Sequence, residues 1–355
     1  MKSIAVLGLG KVGTLAAELL CVSGFDVVGF DQKQPLENLP FDVREVDVSK
    51  LDALAVEFSK VDGVLSCLPY HLNVGVAQAA HQAGIHYFDL TEDVPTTKAI
   101  IELSKTSKAL MAPQCGLAPG FVGIVGADLI SQFDDCRSCR MRVGALPQHP
   151  TGLMGYSFNW SPEGVVNEYL NDCEVIEEGQ VKWVSAMEWV EKLFIGGTEL
   201  EAFTTSGGLG TMCETYLGRV PNIDYKTMRY PGHVKLMNFF FHELLMREKR
   251  EEAGQILVNA KPPVNDDVVY VHVSAEGTIE GRLERREFVR AYYPMKLAGK
   301  ERTAIAWTTA SSVVAVIEMV RDGSLSKNGF LKQEEISLGN FLKTANGQAF
   351  QSGQV

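Results

Sequence analysis

The hexamer Gly8-Leu9-Gly10-Lys11-Val12-Gly13 most narrows what this chain can fold into, because it follows at once on the apolar run Ser3 to Leu7 and opens a segment of helical periodicity. A strand that turns through glycines into a helix begins a dinucleotide-binding βαβ unit. There Gly8 permits the tight turn, Gly10 lets a pyrophosphate approach the backbone, and Gly13 lets the helix lie close on the strand. The helix N-terminus, with Lys11 and Val12 in its first turn, attracts the phosphates. Asp31 closes the next apolar run, where a carboxylate accepts from both ribose hydroxyls of an adenosine and repels a 2′-phosphate. NAD is the cofactor this predicts, with NADP left open by Gln32 and Lys33, whose ammonium could pair with such a phosphate. Asp47 and Val48 are expected over the adenine, and Cys67, Leu68 and Pro69 beside the nicotinamide ribose, or else all five are ordinary loop residues.

The same alternation continues to about Pro113. Strands are expected at Ser3 to Leu7, Asp26 to Phe30, Val43 to Val46, Gly63 to Cys67, His86 to Phe88 and Ala109 to Met111, with helical spacing between them. The predicted fold class is α/β: a Rossmann-type doubly wound parallel sheet with a second, α+β domain. The turn Gly116 to Gly120 marks the boundary, giving a dinucleotide-binding domain over 1–118 and a substrate and dimerisation domain over 119–302. In the second, antiparallel strands are expected at Cys139 to Leu146, Cys173 to Ile176, Asp267 to Ser274 and Arg282 to Val289, with helices at Val165 to Leu170 and His233 to Met246. A helix around 303–321 is expected to return to the first domain, and 323–355 reads as a polar tail.

With 33 basic against 44 acidic residues the net charge is −11, and no basic run offers a track for phosphates, which argues against nucleic acid. No apolar run reaches the ~20 residues of a membrane span. The first residues run straight into a strand, leaving no signal-peptide pattern, so a cytoplasmic protein is expected. Seven cysteines, an odd number, read as reduced thiols, and the Cys136–Cys139 pair lacks the further ligands of a zinc site. No metal is expected.

Beyond the glycine turn, four strings narrow the reading: His86-Tyr87-Phe88-Asp89-Leu90-Thr91-Glu92, Gly116-Leu117-Ala118-Pro119-Gly120, Tyr156 to Gly164, and Met228-Arg229-Tyr230-Pro231-Gly232-His233. With them the chain resembles the saccharopine dehydrogenase family over nearly its whole length. The resemblance implies hydride transfer between a nicotinamide cofactor and a carbon bearing an amine nitrogen, in a molecule related to lysine. The family's glutamate-linked reductases usually carry Asp where this chain has Ala118, and its length resembles lysine 6-dehydrogenase. Oxidative deamination of L-lysine with NAD is therefore the expected activity. The alternatives are a saccharopine- or carboxynorspermidine-type reductase using NADP, and a nucleotide-sensing protein without turnover.

Amine oxidation needs a neutral nitrogen and hence a proton acceptor. His71, Asp89 and Glu92 follow the fourth and fifth strands, at the sheet edge where open α/β folds bind ligands. His71 is read as base or relay, or as a solvated loop residue. Asp89 and Glu92 are read as holding a substrate ammonium, with capping of the next turn as the alternative for Asp89. For a substrate carboxylate, Arg229 offers a planar fork, with His233 beside it. Tyr156 and Trp160 lie on alternate positions of a possible strand and either wall the substrate or pack the core. Phe239 to Phe241 reads as core or subunit interface, and Cys115 as small apolar filler. The chain is expected to form a homodimer or higher homo-oligomer, using strands such as Asp267 to Ser274.

Overall fold

A computed structural model describes residues 1–34, 38–48 and 50–354, with the backbone alone at 51–53. The chain divides into two compact units: Met1–Phe121 with Lys296–Glu301 and Ala306–Gln351, and Val122–Met295 with Arg302–Ile305 and the residues from Ser352 onward.

The first unit carries β1 (Ser3–Leu7), α1 (Lys11–Val22), β2 (Asp26–Asp31), β3 (Asp42–Glu45), α2 (Leu51–Phe58), β4 (Gly63–Ser66), α3 (Tyr70–Ala83), β5 (His86–Asp89), α4 (Val94–Ser104) and β6 (Leu110–Ala112). The strands form one parallel sheet in the order β6-β5-β4-β1-β2-β3. Ile4, Ala5, Val6 and Leu7 are all fully buried, because helices cover both faces of such a sheet and a strand inside it is apolar without alternation. From β1 the chain runs outward through β2 and β3, then returns to build β4 to β6 on the other side. The strand order therefore reverses beside β1, whose carboxyl end carries the glycine turn, and that is where open α/β sheets bind ligands.

The segment after residue 323 is a brace rather than a polar tail. Gly329–Phe330 adds a seventh parallel strand outside β6, and Gln333 Nε2 donates to the Pro113 carbonyl at 3.0 Å. Phe350 stacks on Phe121 at 4.0 Å, and Phe341 lies 5.5 Å from the same ring. Glu318, 2% exposed, accepts from Ser23 Oγ at 2.6 Å and Asn346 Nδ2 at 2.8 Å, tying the end of α1 to this segment. The sequence hid the brace because its anchoring residues, Gln333, Glu334 and Asn346, are polar side chains that are nonetheless buried.

The second unit is built on β7 (Asp135–Pro147), β8 (Cys173–Glu177), β9 (Gln180–Val184), β10 (Glu191–Ile195), β11 (Thr198–Thr204), β12 (Asn222–Arg229), β13 (Asp267–Ile279) and β14 (Arg282–Tyr292). The main sheet runs β10-β11-β12-β7-β13-β14, with β8 and β9 branching from β12. It is mixed: β12 lies parallel to β7, whereas the sequence reading has hairpins throughout. Asp267 to Ser274 lies within β13, held between β7 and β14, so it is no free edge.

The helices of this unit are α5 (Phe121–Ile130), which begins at its boundary, α6 (Pro162–Leu170), α7 (Met212–Tyr216), α8 (His233–Asn238) and α9 (Arg250–Ala260). The long helix expected from His233 to Met246 stops as α-helix at Asn238, passes through a π-turn over Phe239–Glu243, and breaks at Leu245, whose φ is +57°. Phe241 is fully buried, Phe240 packs against the core, and Phe239 is about half exposed.

The helix Ala304–Arg321 begins on Asp267, whose carboxylate accepts from the backbone N–H of Ala304 at 2.6 Å and of Ile305 at 2.9 Å. By length and composition it could cross a membrane, which the sequence reading did not foresee, but 83% of it is buried inside the protein, as in the core helix of a soluble fold.

Candidate nucleotide site and a buried arginine network

The glycine turn divides its labour in a way the geometry makes explicit. Gly8 has φ +84°, which a side chain would strain. A Cβ on Gly13 would sit 1.9 Å from the Gly8 carbonyl oxygen, so only glycine lets α1 close on the turn. A Cβ on Gly10 would meet nothing within 4 Å. Gly10 is also the N-cap of α1, and no side chain caps that end, so first-turn amides are left for a ligand. Those are the properties a pyrophosphate cradle requires. Lys11 is exposed and Val12 half-buried at the start of the helix.

Asp31, the last residue of β2, has one oxygen 2.6 Å from the Leu9 N–H and the other 3.3 Å from the Lys33 N–H. The carboxylate that the sequence assigns to the ribose thus braces the glycine turn itself. Lys33 is exposed. Asp47 is exposed and pairs with Lys50 at 3.6 Å, while Val48 is buried in the core. Cys67 follows β4, its N–H bonded to the Leu7 carbonyl beside the turn, and burial pushes its thiol up to about 12. Leu68 is half-buried and Pro69 is the N-cap of α3. His71 is an exposed residue in the first turn of that helix, with its ring against Tyr70, rather than a loop histidine.

Asp89 is fully buried at the end of β5. It accepts from Tyr87 Oη at 2.7 Å and from the N–H groups of Thr91 and Gln114, each at 2.9 Å. These bonds fit the capping alternative and engage both carboxylate oxygens. Burial still outweighs the bonds and lifts its carboxyl to about 6. Glu92 keeps part of its surface in solvent, yet desolvation, reinforced by the charges of Asp93 and Asp89, raises its carboxyl to about 7. A carboxyl held there exchanges protons near neutrality.

In the second unit, Arg229 ends β12 and is 2% exposed. Its Nε donates to Tyr169 Oη at 2.8 Å, and its Nη1 donates to Thr227 Oγ1 at 2.6 Å and the Met228 carbonyl at 2.8 Å. The guanidinium lies 4.5 Å over the Tyr156 ring. The fork expected for a carboxylate is therefore largely occupied, and Nη2 is the nitrogen left without a hydrogen bond among the described residues. His233 is fully buried; Nδ1 lies 3.0 Å from the Met154 carbonyl and Nε2 3.0 Å from Tyr169 Oη. Burial first, and then the Arg229 charge, hold its imidazole down at about 3, so it is neutral. A carbonyl only accepts, so Nδ1 carries the hydrogen and Nε2 accepts from the tyrosine hydroxyl. The bonds run one way, from Arg229 through Tyr169 and His233 to Met154.

Tyr156 and Trp160 join this cluster, with Trp160 Nε1 donating to Tyr156 Oη at 3.3 Å, but they lie in an extended loop and not on a strand. Sequence reasoning missed Tyr169, Thr227 and Glu201, whose carboxylate accepts from the N–H groups of Gly232 and Val234 and fixes the start of α8. Tyr169 had a signal: it follows Val165 and Val166 on one helical face, and a tyrosine in an apolar stripe needs a buried partner for its hydroxyl. Among the described residues no group of three or more metal-binding side chains is gathered in one place.

Comparison with known proteins now bears on both units. The family model described as the saccharopine dehydrogenase NADP binding domain matches residues 4–113, and that of the saccharopine dehydrogenase C-terminal domain matches 116–346. The chain belongs to the saccharopine dehydrogenase family. It is a nicotinamide-nucleotide-dependent amino-acid oxidoreductase of that family.

Among its relatives in this family, the chain is 23% identical over 314 residues to saccharopine dehydrogenase [NADP(+), L-glutamate-forming] of Pyricularia oryzae, covering 81% of this chain and 70% of that one. It is 25% identical over 259 residues to the mitochondrial alpha-aminoadipic semialdehyde synthase of Rattus norvegicus, covering 67% of this chain but 28% of that longer protein. The apo saccharopine dehydrogenase (L-Glu forming) of Saccharomyces cerevisiae has the same fold, with TM-score 0.74 and 16% identity, covering 97% of this chain and 96% of that one.

Proposed function

We propose that this member of the family uses NADP to make or break the C–N bond of a saccharopine-type secondary amine. The observation that carries the reading is local to the first unit: an open, uncapped glycine turn and, two strands along the same sheet, the carboxyl of Glu92 held near neutrality. The names of the two glutamate-linked relatives supply the substrate class. NADP replaces the NAD expected from Asp31 for two reasons: the matched family model is an NADP binding domain, and Asp31 is engaged by the turn, leaving exposed Lys33 as the nearby cation for a 2′-phosphate.

Bound nicotinamide supplies or accepts the hydride. The turn from Gly8 to Gly13 would hold its pyrophosphate. In the oxidative direction Glu92 takes the proton that the substrate nitrogen must lose. Seven unpaired cysteines suit a reducing compartment such as the cytoplasm.

Ala118 favours a second reading, lysine ε-deamination. The test is hydride transfer by the purified chain with NADP or NAD, using L-saccharopine or L-lysine, with glutamate and ammonia both counted. Saccharopine-dependent NADPH formation with one glutamate per hydride supports the proposal. Lysine-dependent turnover with one ammonia per hydride overturns it in favour of deamination, and nucleotide binding with no turnover leaves the sensor.

A further inference from the structure

Five buried polar residues, Asp89, Thr91, Asp93, Thr97 and Gln114, close a circuit of hydrogen bonds at the carboxyl ends of β5 and β6. Asp89 Oδ1 accepts from the N–H groups of Thr91 and Gln114 at 2.9 Å each. Thr91 Oγ1 accepts from the Asp93 N–H at 3.2 Å, and the Asp93 carbonyl accepts from Thr97 Oγ1 at 3.1 Å. Thr97 Oγ1 in turn accepts from Gln114 Nε2 at 3.1 Å, which brings the path back to its start. A hydroxyl both donates and accepts, so Thr97 serves the two bonds together.

Two features of this turn cost stability. Gln114 has φ +65°, a left-handed conformation that a residue other than glycine keeps only where its surroundings enforce it. They do so here: Asp89 takes its N–H, and Gln333 Nε2 donates to the Pro113 carbonyl at 3.0 Å and lies 3.3 Å from Cys115 Sγ, holding the residues on either side. Gln333 Oε1 is left buried without a hydrogen bond among the described residues, the second cost at the same turn. Glycine would take the left-handed conformation freely. Glutamine adds the amide that closes the circuit on Thr97.

The residue so enclosed is Glu92. It stands between Thr91 and Asp93, whose backbone N–H groups the circuit engages, and Asp93 also caps α4 by accepting from the Thr96 N–H. The Glu92 side chain takes no hydrogen bond from any other described residue and keeps part of its surface in solvent. From this arrangement we infer that Thr97 and Gln114 are positioning residues, which hold Glu92 in its half-buried place by way of Asp89 and Asp93. Their effect on turnover rests on the reading of Glu92 as the proton acceptor. The ionisable groups that bear on Glu92 are Asp93 and Asp89; around Asp89 stand Tyr87 on its own strand, Cys67 after β4 and Cys115 after β6. Desolvation is the largest cause of the raised Glu92 carboxyl, so loosening its seat admits water and brings it down toward the ordinary 4.5.

The test pairs turnover with a titration that needs no substrate. Thr97→Val and Gln114→Met keep the bulk of each side chain and delete its part in the circuit, while Thr97→Ser keeps the hydroxyl. Infrared difference spectra of each chain against its Glu92→Gln counterpart follow the Glu92 carboxyl. In the parent its midpoint is expected at about 7. In Thr97→Val and Gln114→Met it should fall by about one pH unit, a tenfold change in proton affinity, and in Thr97→Ser it should return. The limb of kcat/KM should move to lower pH in step, with kcat reduced roughly tenfold and the KM for nucleotide unchanged. Neither deletion should lower kcat further once Glu92→Gln is present. A lower unfolding temperature with the midpoint left at its parental value would show a role in stability alone and overturns the inference, even where Glu92→Gln abolishes turnover. Should Thr97→Val fail to fold, Gln114→Met decides by the same midpoint. A midpoint that moves while Glu92→Gln turns over like the parent supports the positioning and removes the proton-acceptor reading instead.

Discussion

The two units carry chemistry in opposite ways. The glycine turn of the first works by what is missing: no side chain at Gly10, no room for one at Gly13, no side-chain cap on α1. The arginine network of the second works by what is present, a cation buried among two tyrosines, a threonine and a neutral histidine gathered from α6, β12, α8 and a loop. A site made of backbone is encoded within six consecutive residues. A site made of converging side chains has its partners far apart in the chain, Tyr169 and His233 by 64 positions.

The sharpest way to break the comparison is within the turn itself. Gly13→Ala drives its Cβ into the Gly8 carbonyl and should destabilise the first unit on the order of 3 kcal/mol, abolishing NADPH binding in a fluorescence titration. Gly10→Ala adds a methyl group to open space, so thermal unfolding should stay within about 0.5 kcal/mol of the parent while nucleotide affinity falls. Equal damage from both would mean that Gly10 is structural too.

In the second unit Tyr169→Phe removes one oxygen and strands two groups, Arg229 Nε and His233 Nε2. A loss of about 1–3 kcal/mol in urea unfolding is expected. A variant as stable as the parent would show that the hydroxyl is not the link between them.

The units should also answer pH differently. Glu92 has its pKa raised in the folded state, from 4.5 to about 7, so its contribution to stability is present below pH 4.5 and is lost as pH rises through 7. His233 is depressed, from 6.5 to about 3, so its contribution is present above pH 6.5 and is lost as pH falls toward 3. Hydrogen exchange at pH 5 and pH 7 should show the Glu92 segment better protected at the lower pH and α8 at the higher. Glu92→Gln should flatten the first trend and remove the limb of kcat/KM that rises through about pH 7; an unchanged profile would take Glu92 out of proton transfer. The smallest effect expected is for Lys33→Ala, which should weaken NADP by about tenfold or less and leave NAD unchanged in a side-by-side titration.

This contrast also explains what the sequence could tell. In the first unit apolar runs, glycines and helical spacing agree with one another, and the six strands from β1 to β6 were legible to within a residue or two. In the second, β12 carries Lys226 and Arg229 as buried residues, which a reading based on polarity takes for surface. Tyr156 to Trp160 alternates like a strand but forms a loop that closes over the arginine. Arg229, His233, Tyr156 and Trp160 were each singled out and do come together. What no local pattern could provide was the order of their hydrogen bonds, which depends on Tyr169 and on a carbonyl at Met154.

The brace after residue 323 has a consequence for how the chain is made. The second unit is contiguous over 122–295 apart from short additions, whereas the first joins its opening 121 residues to a segment beginning at Ala306. Ser23 and its partner Glu318 stand 295 positions apart, and closing so long a loop is a slow, entropically opposed event. On the ribosome, the stretch translated in the middle can finish folding while the earliest one still waits, its sheet lacking an edge strand and Phe121 lacking its stacking partner. During that interval the half-built nucleotide unit is the part of the molecule that a chaperone would find.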